Sequence, residues 1–168
     1  LIYGMGLSVE WKGFDFSVLF QGAGSCDFFV GGWGVYPFQE GEAGNIMKVA
    51  SNPADRWISR EISGTPDTEN PNAIFPRLTY GNRQNNNRAS THWLRNGRYL
   101  RLKNLTIGYT IPKKISRKLL MEGARIYFLG NNLAVWDSFG WWDPELASDN
   151  GARYPIQKNF TLGLTLNF

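Results

Sequence analysis

Five blocks of the chain alternate between apolar and polar residues, the period-two pattern that places successive side chains on opposite faces of a β-strand. In the first, about residues 1–12, Tyr3, Met5, Leu7, Val9 and Trp11 share a face opposite Gly4, Gly6, Ser8, Glu10 and Lys12. Lys12-Gly13 predicts a tight hairpin turn into the second, about 14–22, where Phe14, Phe16, Val18 and Phe20 alternate with Asp15, Ser17 and Gln21. The third, about 99–111, sets Leu105, Ile107, Tyr109 and Ile111 against Thr106, Gly108 and Thr110, and stops at Pro112. Leu100 and Leu102 have the other parity, which predicts a β-bulge near Lys103-Asn104. A fourth block, about 124–136, leaves its facing open, because Ile126/Phe128 and Tyr127/Leu129 are both apolar pairs. The fifth, about 158–168, alternates Phe160, Leu162, Leu164, Leu166 and Phe168 with Thr161, Gly163, Thr165 and Asn167.

The connections differ greatly in length. Antiparallel tracking puts residues 12–13 and 112–123 on one rim, and residues 23–97 and 137–157 on the other. The stretch 23–97 is rich in Gly, Pro and Asn, with at most a short helix between Asn52-Pro53 and Gly64, and a connection of that length needs a reason. Short turns on one rim and long loops on the other are the layout of an outer-membrane barrel, with periplasmic turns and extracellular loops. Trp11, Phe14, Tyr109 and Phe168 then form an aromatic girdle at the short-turn rim. A soluble β-sandwich or lipocalin-like barrel alternates too, with its apolar face turned inward. The loop asymmetry favours the membrane barrel. Five strands leave two open edges, so residues 1–168 are expected to have their sheet completed by a part of the protein N-terminal to them.

Aromatic residues make up 15% of the chain, which suits an all-β fold. The longest apolar runs, such as Val18-Leu19-Phe20 and Phe28-Phe29-Val30, fall far short of the ~20 residues of a membrane helix. A formal charge of +4 gathers its clearest cluster at Lys113, Lys114, Arg117 and Lys118, all within one connection and without interleaved aromatics. That reads as a solvated turn and excludes a nucleic-acid surface. Cys26 is the only cysteine, so no internal disulfide forms. The apolar residues before it alternate as a strand does, which argues against a lipoprotein cleavage site. Leu1 opens in mid-pattern, so any signal peptide is expected outside this chain.

Several segments resemble SusC/RagA-type TonB-linked outer-membrane proteins. They are Trp11 to Val18 with Phe20-Gln21-Gly22, then Phe75-Pro76-Arg77-Leu78, then Tyr99 to Tyr109, Asn131-Asn132-Leu133, Asp143-Pro144-Glu145, Tyr154-Pro155 and the strand from Phe160 to Phe168. Order and spacing agree nearly end to end, most weakly between Ala23 and Asn70. Arg98 and Ala134-Val135-Trp136 depart from the pattern. The resemblance implies the last five strands of a barrel of about 22 strands with a plugged lumen. It also implies TonB-dependent active import of an oligomeric nutrient, glycan or peptide, across the bacterial outer membrane. The plug domain and the segment that meets the TonB complex would lie outside this chain, and a SusD-like surface lipoprotein would cap the mouth. A passive porin or a surface adhesin is the alternative.

Candidate chemistry is sparse. Asp143 and Glu145 have the spacing of a carboxylate pair, but no partner motif makes them a glycosidase site, and no enzymatic activity is expected. His92 is the only histidine, which rules out a His-based metal cluster or a Ser-His-Asp triad within the chain, and no cofactor is called for. Substrate contacts are expected from loop residues Trp57, Trp93, Trp141, Trp142, Asp143, Glu145 and Asn86, with Trp136, Gln84, Asn85 and Asn87 as further polar or aromatic candidates. The alternative for these tryptophans is loop packing or headgroup anchoring. Two sequon triplets, at Asn104 and Asn159, fall inside predicted strands and read as chance. By resemblance to outer-membrane proteins, Phe168 would help the insertion machinery recognise the last strand.

Overall fold

The computed structural model describes residues 1–39, 45–80 and 85–168. Among these, seven strands follow in chain order: β1 (Ile2–Trp11), β2 (Phe14–Ala23), β3 (Asp27–Phe29), β4 (Leu94–Asn96), β5 (Tyr99–Thr110), β6 (Gly123–Asp137) and β7 (Asn159–Asn167). Five of them form one sheet in the order β1-β2-β5-β6-β7, while β3 and β4 make a separate two-stranded ribbon. The chain divides into two compact units, one of Leu1–Cys26, Asn96–Leu146 and Tyr154–Phe168, the other of Asp27–Arg95 and Ala147–Arg153.

Every neighbouring pair in the five-stranded sheet is antiparallel, and the register decides what each face carries. Directly opposed residues share a face. Leu7 opposes Val18, Val18 opposes Leu105, Ile107 opposes Phe128, and Phe128 opposes Leu162. This settles the undecided fourth block: Ile126 and Phe128 join the apolar face, and Tyr127 and Leu129 take the other. Between β2 and β5 the register shifts at Leu19/Phe20 and steps over Lys103, which returns Leu100 and Leu102 to the apolar face. The expected bulge is therefore where the parity changes.

That apolar face is bare. Leu162, Leu164 and Leu7 are 75%, 62% and 58% exposed, a continuous apolar surface that water would not tolerate and lipid would. Ten residues in β1 and in β2 extend about 33 Å, or about 23 Å across a membrane at a tilt of 45°, matching the apolar band of a barrel. Phe14 and Tyr109 stack with ring centroids 4.4 Å apart at the turn end of this face, with Trp11 opposite Phe14. Phe168 lies just past β7 and is exposed. No helix among the described residues is long and apolar enough to cross a membrane.

The opposite face is mostly small or polar, with Leu19, Tyr127 and Leu129 among its members, and its polar groups pair with one another. The Ser8 hydroxyl donates to Ser17 Oγ at 3.2 Å, and Asn104 Nδ2 donates to Asn131 Oδ1 at 2.7 Å. Arg125 crosses β5 to grip Asp15 with Nε–Oδ1 at 3.1 Å and Nη2–Oδ2 at 2.5 Å. It crosses above Gly108, where a Cβ would collide with both side chains. Gly163 likewise makes room for the Tyr127 ring, on which the Arg125 guanidinium sits 5.0 Å from the centroid.

Between β1 and β2, Lys12 and Gly13 both take positive φ, 48° and 89°, the two-residue turn that matches strand twist. The described residues of the stretch 23–97 are more ordered than its composition suggests. Besides β3 and β4 it holds α1 (Lys48–Ser51), α2 (Arg60–Ser63) closed by Gly64 at φ 76°, and 3-10 turns at Pro53–Asp55 and Pro66–Thr68. Three-residue strands and single helical turns are too short to show a period, which is why the alternation misses them. In the second unit Trp93, Phe75, Val30 and Val35 are buried, a local core built around a loop.

Candidate functional site

Two constellations include the loop residues expected to contact a ligand. The first stands where β5 meets the connection after β6. Arg101, on the polar face of β5, is 2% exposed, and its Nη2 binds the Asp143 carboxylate. Its Nε lies 2.6 Å from Glu145 Oε2 as an ion pair without hydrogen-bond geometry, and Lys103 Nζ reaches Glu145 Oε1 at 2.9 Å. Asp143 Oδ1 in turn accepts the Glu145 backbone N–H at 3.0 Å, so Pro144–Leu146 forms one 3-10 turn. Both carboxylates are thus bound to strand cations. An ion pair this enclosed fixes position more than it adds stability, while removing one partner leaves uncompensated charge.

Beside this anchor, Trp141 and Trp142 pack with Phe139, at centroid distances from 4.8 to 5.9 Å. Both indoles are half-buried, and Trp142 Nε1 has no hydrogen-bond partner among the described residues. Trp136 faces outward from the apolar face of β6, 6.5 Å from Phe20, where an interfacial aromatic belongs.

The second constellation lies wholly within the other unit. Trp57, Phe75, Asn85, Asn86, Ser90 and His92 line an open cleft of about 350 Å³. Trp57 is 40% exposed, and its backbone N–H donates to Phe75 O at 3.1 Å. Trp93, offered as a ligand contact by its sequence, is instead 1% exposed; its Nε1–H donates to Asn86 O at 2.7 Å and its ring meets Tyr36 and His92 edge-on. It holds the cleft's wall rather than its surface. His92 Nε2 is buried without a hydrogen-bond partner among the described residues, and burial, helped by the nearby Arg95 cation, holds its pKa below the usual histidine value. Gln84 lies outside the described residues.

Of the residues the sequence offered singly, the structure brings Trp57 and Asn86 to one place and Trp141, Trp142, Asp143 and Glu145 to another; the sequence reading foresees neither grouping. It misses Arg101 and Lys103, which are what position the second group. The available signal is two cations on a strand whose polar face is otherwise Tyr99, Asn104, Thr106, Gly108 and Thr110. Among the described residues no group of three or more His, Cys, Asp or Glu side chains is placed to hold a metal.

No family model matches the chain. TonB-dependent receptor P26 of Formosa agariphila is 29% identical over 183 residues, covering 100% of this chain and 17% of its own length. TonB-dependent receptor P3 of the same organism is 25% identical over 178 residues, covering 98% of the chain and 16% of itself. Among solved structures, the RagAB peptide transporter superposes with a TM-score of 0.64 at 27% identity, over 98% of this chain and 17% of that one. The RagAB peptide importer in its open-open state gives 0.61 at 25% identity, over 99% and 17%. The chain therefore spans about a sixth of each relative, a stretch of β-barrel wall. The bare apolar face, the polar opposite face and these likenesses make the chain similar to a segment of a TonB-dependent transporter barrel. Among transporters of that class, the solved structures it resembles are those of RagAB. Its relatives are receptors and transporters, not enzymes.

Proposed function

We propose that the protein containing this chain imports an oligomeric nutrient, a glycan or a peptide, across the bacterial outer membrane by TonB-dependent active transport. The observation that carries the reading is the two-faced sheet, apolar toward lipid and polar toward a lumen, in a chain similar throughout to a peptide importer. In this reading residues 23–97 and 137–157 are extracellular and residues 12–13 and 112–123 periplasmic. A SusD-like lipoprotein caps the mouth, and the TonB complex engages a part of the protein outside this chain.

Substrate passes over the loop side chains. Trp57 offers an indole face, and Asn85, Asn86 and Ser90 surround it with polar groups, the mixture that grips a sugar ring or a peptide backbone. Trp141 and Trp142 form a second aromatic surface, held in place by Asp143 and Glu145. The test is uptake of labelled oligomer by cells carrying the full-length protein, with and without TonB. Uptake lost without TonB, and reduced severalfold by Trp57→Ala with Asn86→Ala at normal surface levels, supports the reading. Uptake indifferent to TonB makes the barrel a passive porin; binding without uptake makes it an adhesin.

A further inference from the structure

The connection between β5 and β6 reads from sequence as a solvated basic turn, but its shape is not what solvation requires. A helical turn, α3 (Lys113–Ser116), runs into a 3-10 turn at Arg117–Leu119. The end is closed by two backbone hydrogen bonds, Leu120 N–H to Arg117 O at 3.2 Å and Met121 N–H to Ser116 O at 3.1 Å. In this closure the residue after the cap is left-handed and ordinarily glycine, which adopts that conformation without steric conflict. Here it is Leu120, at φ 58° and ψ 30°, with its side chain 88% exposed. A leucine in that conformation is strained and recovers no burial within the chain. Ile115, 53% exposed on the same turn, is a second uncovered aliphatic group.

Charge accompanies these apolar groups. Lys113 and Arg117, one helical turn apart, line a recess of about 410 Å³ together with Leu120, Met121 and Glu122. Two cations against one carboxylate leave that recess with a single positive charge, and Lys114 and Lys118 stand exposed beside it. The turn continues the lipid-facing surface at both ends. β5 enters it from Tyr109 and β6 leaves it at Ala124, which opposes Leu166 on the apolar face yet is only 3% exposed; α3 is packed on the start of β6.

We propose that this recess binds an anionic phospholipid of the adjoining leaflet, with the phosphate diester between Lys113 and Arg117 and Leu120 inserted beside the glycerol and upper acyl chain. Cations at the headgroup level with apolar side chains just beneath are how a protein surface holds such a lipid. The inference rests on the barrel fold alone and stands whether or not the transport reading does.

Native mass spectrometry of the full-length transporter in mild detergent, titrated with phosphatidylglycerol or phosphatidylethanolamine, tests it. Retained phosphatidylglycerol is expected to exceed phosphatidylethanolamine, and Lys113→Gln with Arg117→Gln to weaken its binding by about tenfold or more. Lys114→Gln with Lys118→Gln, which removes equal charge outside the recess, is expected to change it by less than about threefold. Leu120→Gly separates lipid contact from folding: it relieves the strained backbone, so the melting temperature of the protein without added lipid rises, while phosphatidylglycerol retention falls. Equal retention in the Lys113/Arg117 variant and the unaltered protein overturns the proposal. So does a Leu120→Gly protein that keeps its lipid, or inorganic phosphate that displaces the lipid at equal concentration, which would mark a free-phosphate site.

Discussion

Leucine 164 offers the sharpest test of which way the sheet faces. β7 has nine residues, Asn159–Asn167, so its midpoint is Gly163 and Leu164 lies one residue away. At about 3.3 Å per residue and a tilt of 45°, that is about 2 Å from the membrane midplane. An arginine there costs about 2–4 kcal/mol, or about 30- to 700-fold in the folding equilibrium. Leu166, on the same face but about 7 Å from the midplane, should cost about 1 kcal/mol as arginine, because the penalty falls toward the interface. The control must lie on the polar face away from other cations. Thr165 is unsuitable, since the register sets it opposite Arg125, whereas Thr161 opposes Leu129. Thr161→Arg is expected to cost within about 0.5 kcal/mol. Reversible denaturant unfolding of the full-length protein in lipid vesicles, followed by tryptophan fluorescence, measures all three. A Thr161→Arg penalty equal to or above that of Leu164→Arg would refute the assigned facing.

Other expectations follow from the polar contacts and the loops. Arg101→Met should leave Asp143 and Glu145 without their shared cation, cost about 3 kcal/mol, and open the segment 138–146 to limited proteolysis, while Lys103→Met, removing the more exposed partner, costs less. Gly163→Val should push the Tyr127 ring off the sheet and destabilise the barrel by about 1–3 kcal/mol in the same unfolding assay. His92 has a folded-state pKa below its unfolded value, so its neutral form stabilises the loop unit above the ordinary histidine range. That contribution is lost as pH falls through the depressed value. Protection of the Trp93 indole N–H, its exchange rate taken relative to the intrinsic rate at each pH, should therefore fall on acidification, and His92→Asn should flatten the profile. Sidedness is open to cysteine labelling of intact cells in a Cys26→Ser background, since Cys26 is itself exposed: an impermeant reagent should reach cysteines at Asn86 and Asp149, and leave one at Lys114 unlabelled.

The sheet was legible because alternation is a property of neighbouring residues, and Phe160 to Phe168 or Tyr3 to Trp11 display it without help from the rest of the chain. Facing in β6 was not, since Ile126-Tyr127-Phe128-Leu129 is apolar throughout and only the pairing of Ile126 with Leu164 and of Tyr127 with Gly163 assigns sides. Glycine 163 also shows why: it looks like one more small residue until Tyr127 is seen to occupy the space above it. Among loop residues, composition marked Trp93 and Trp57 alike, yet one is the core of its unit and the other half-open on a cleft. Burial of a loop tryptophan depends on partners such as Tyr36 and Asn86, distant in sequence or hidden in backbone atoms. The same distance hid the Arg101 cluster, whose members are 42 residues apart.

The bulge at Lys103 has a mechanical side. Deleting that one residue would make β5 regular against β2, with Leu100, Leu102 and the shifted Leu105 in unbroken alternation. The extra residue is thus dispensable to the pairing with β2, whereas on the β6 side it faces the unpaired Asn132 and Leu133, and it carries the amine that reaches Glu145. Tension applied to the segment around Asp143 and Glu145 enters β5 at Arg101 and Lys103, on the spot where the ladder is already interrupted. An interrupted ladder lacks pairing hydrogen bonds at that point, and the strand bends there. The wall is consequently fastened to its loop at its bend, while the lipid-facing leucines on either side keep their register.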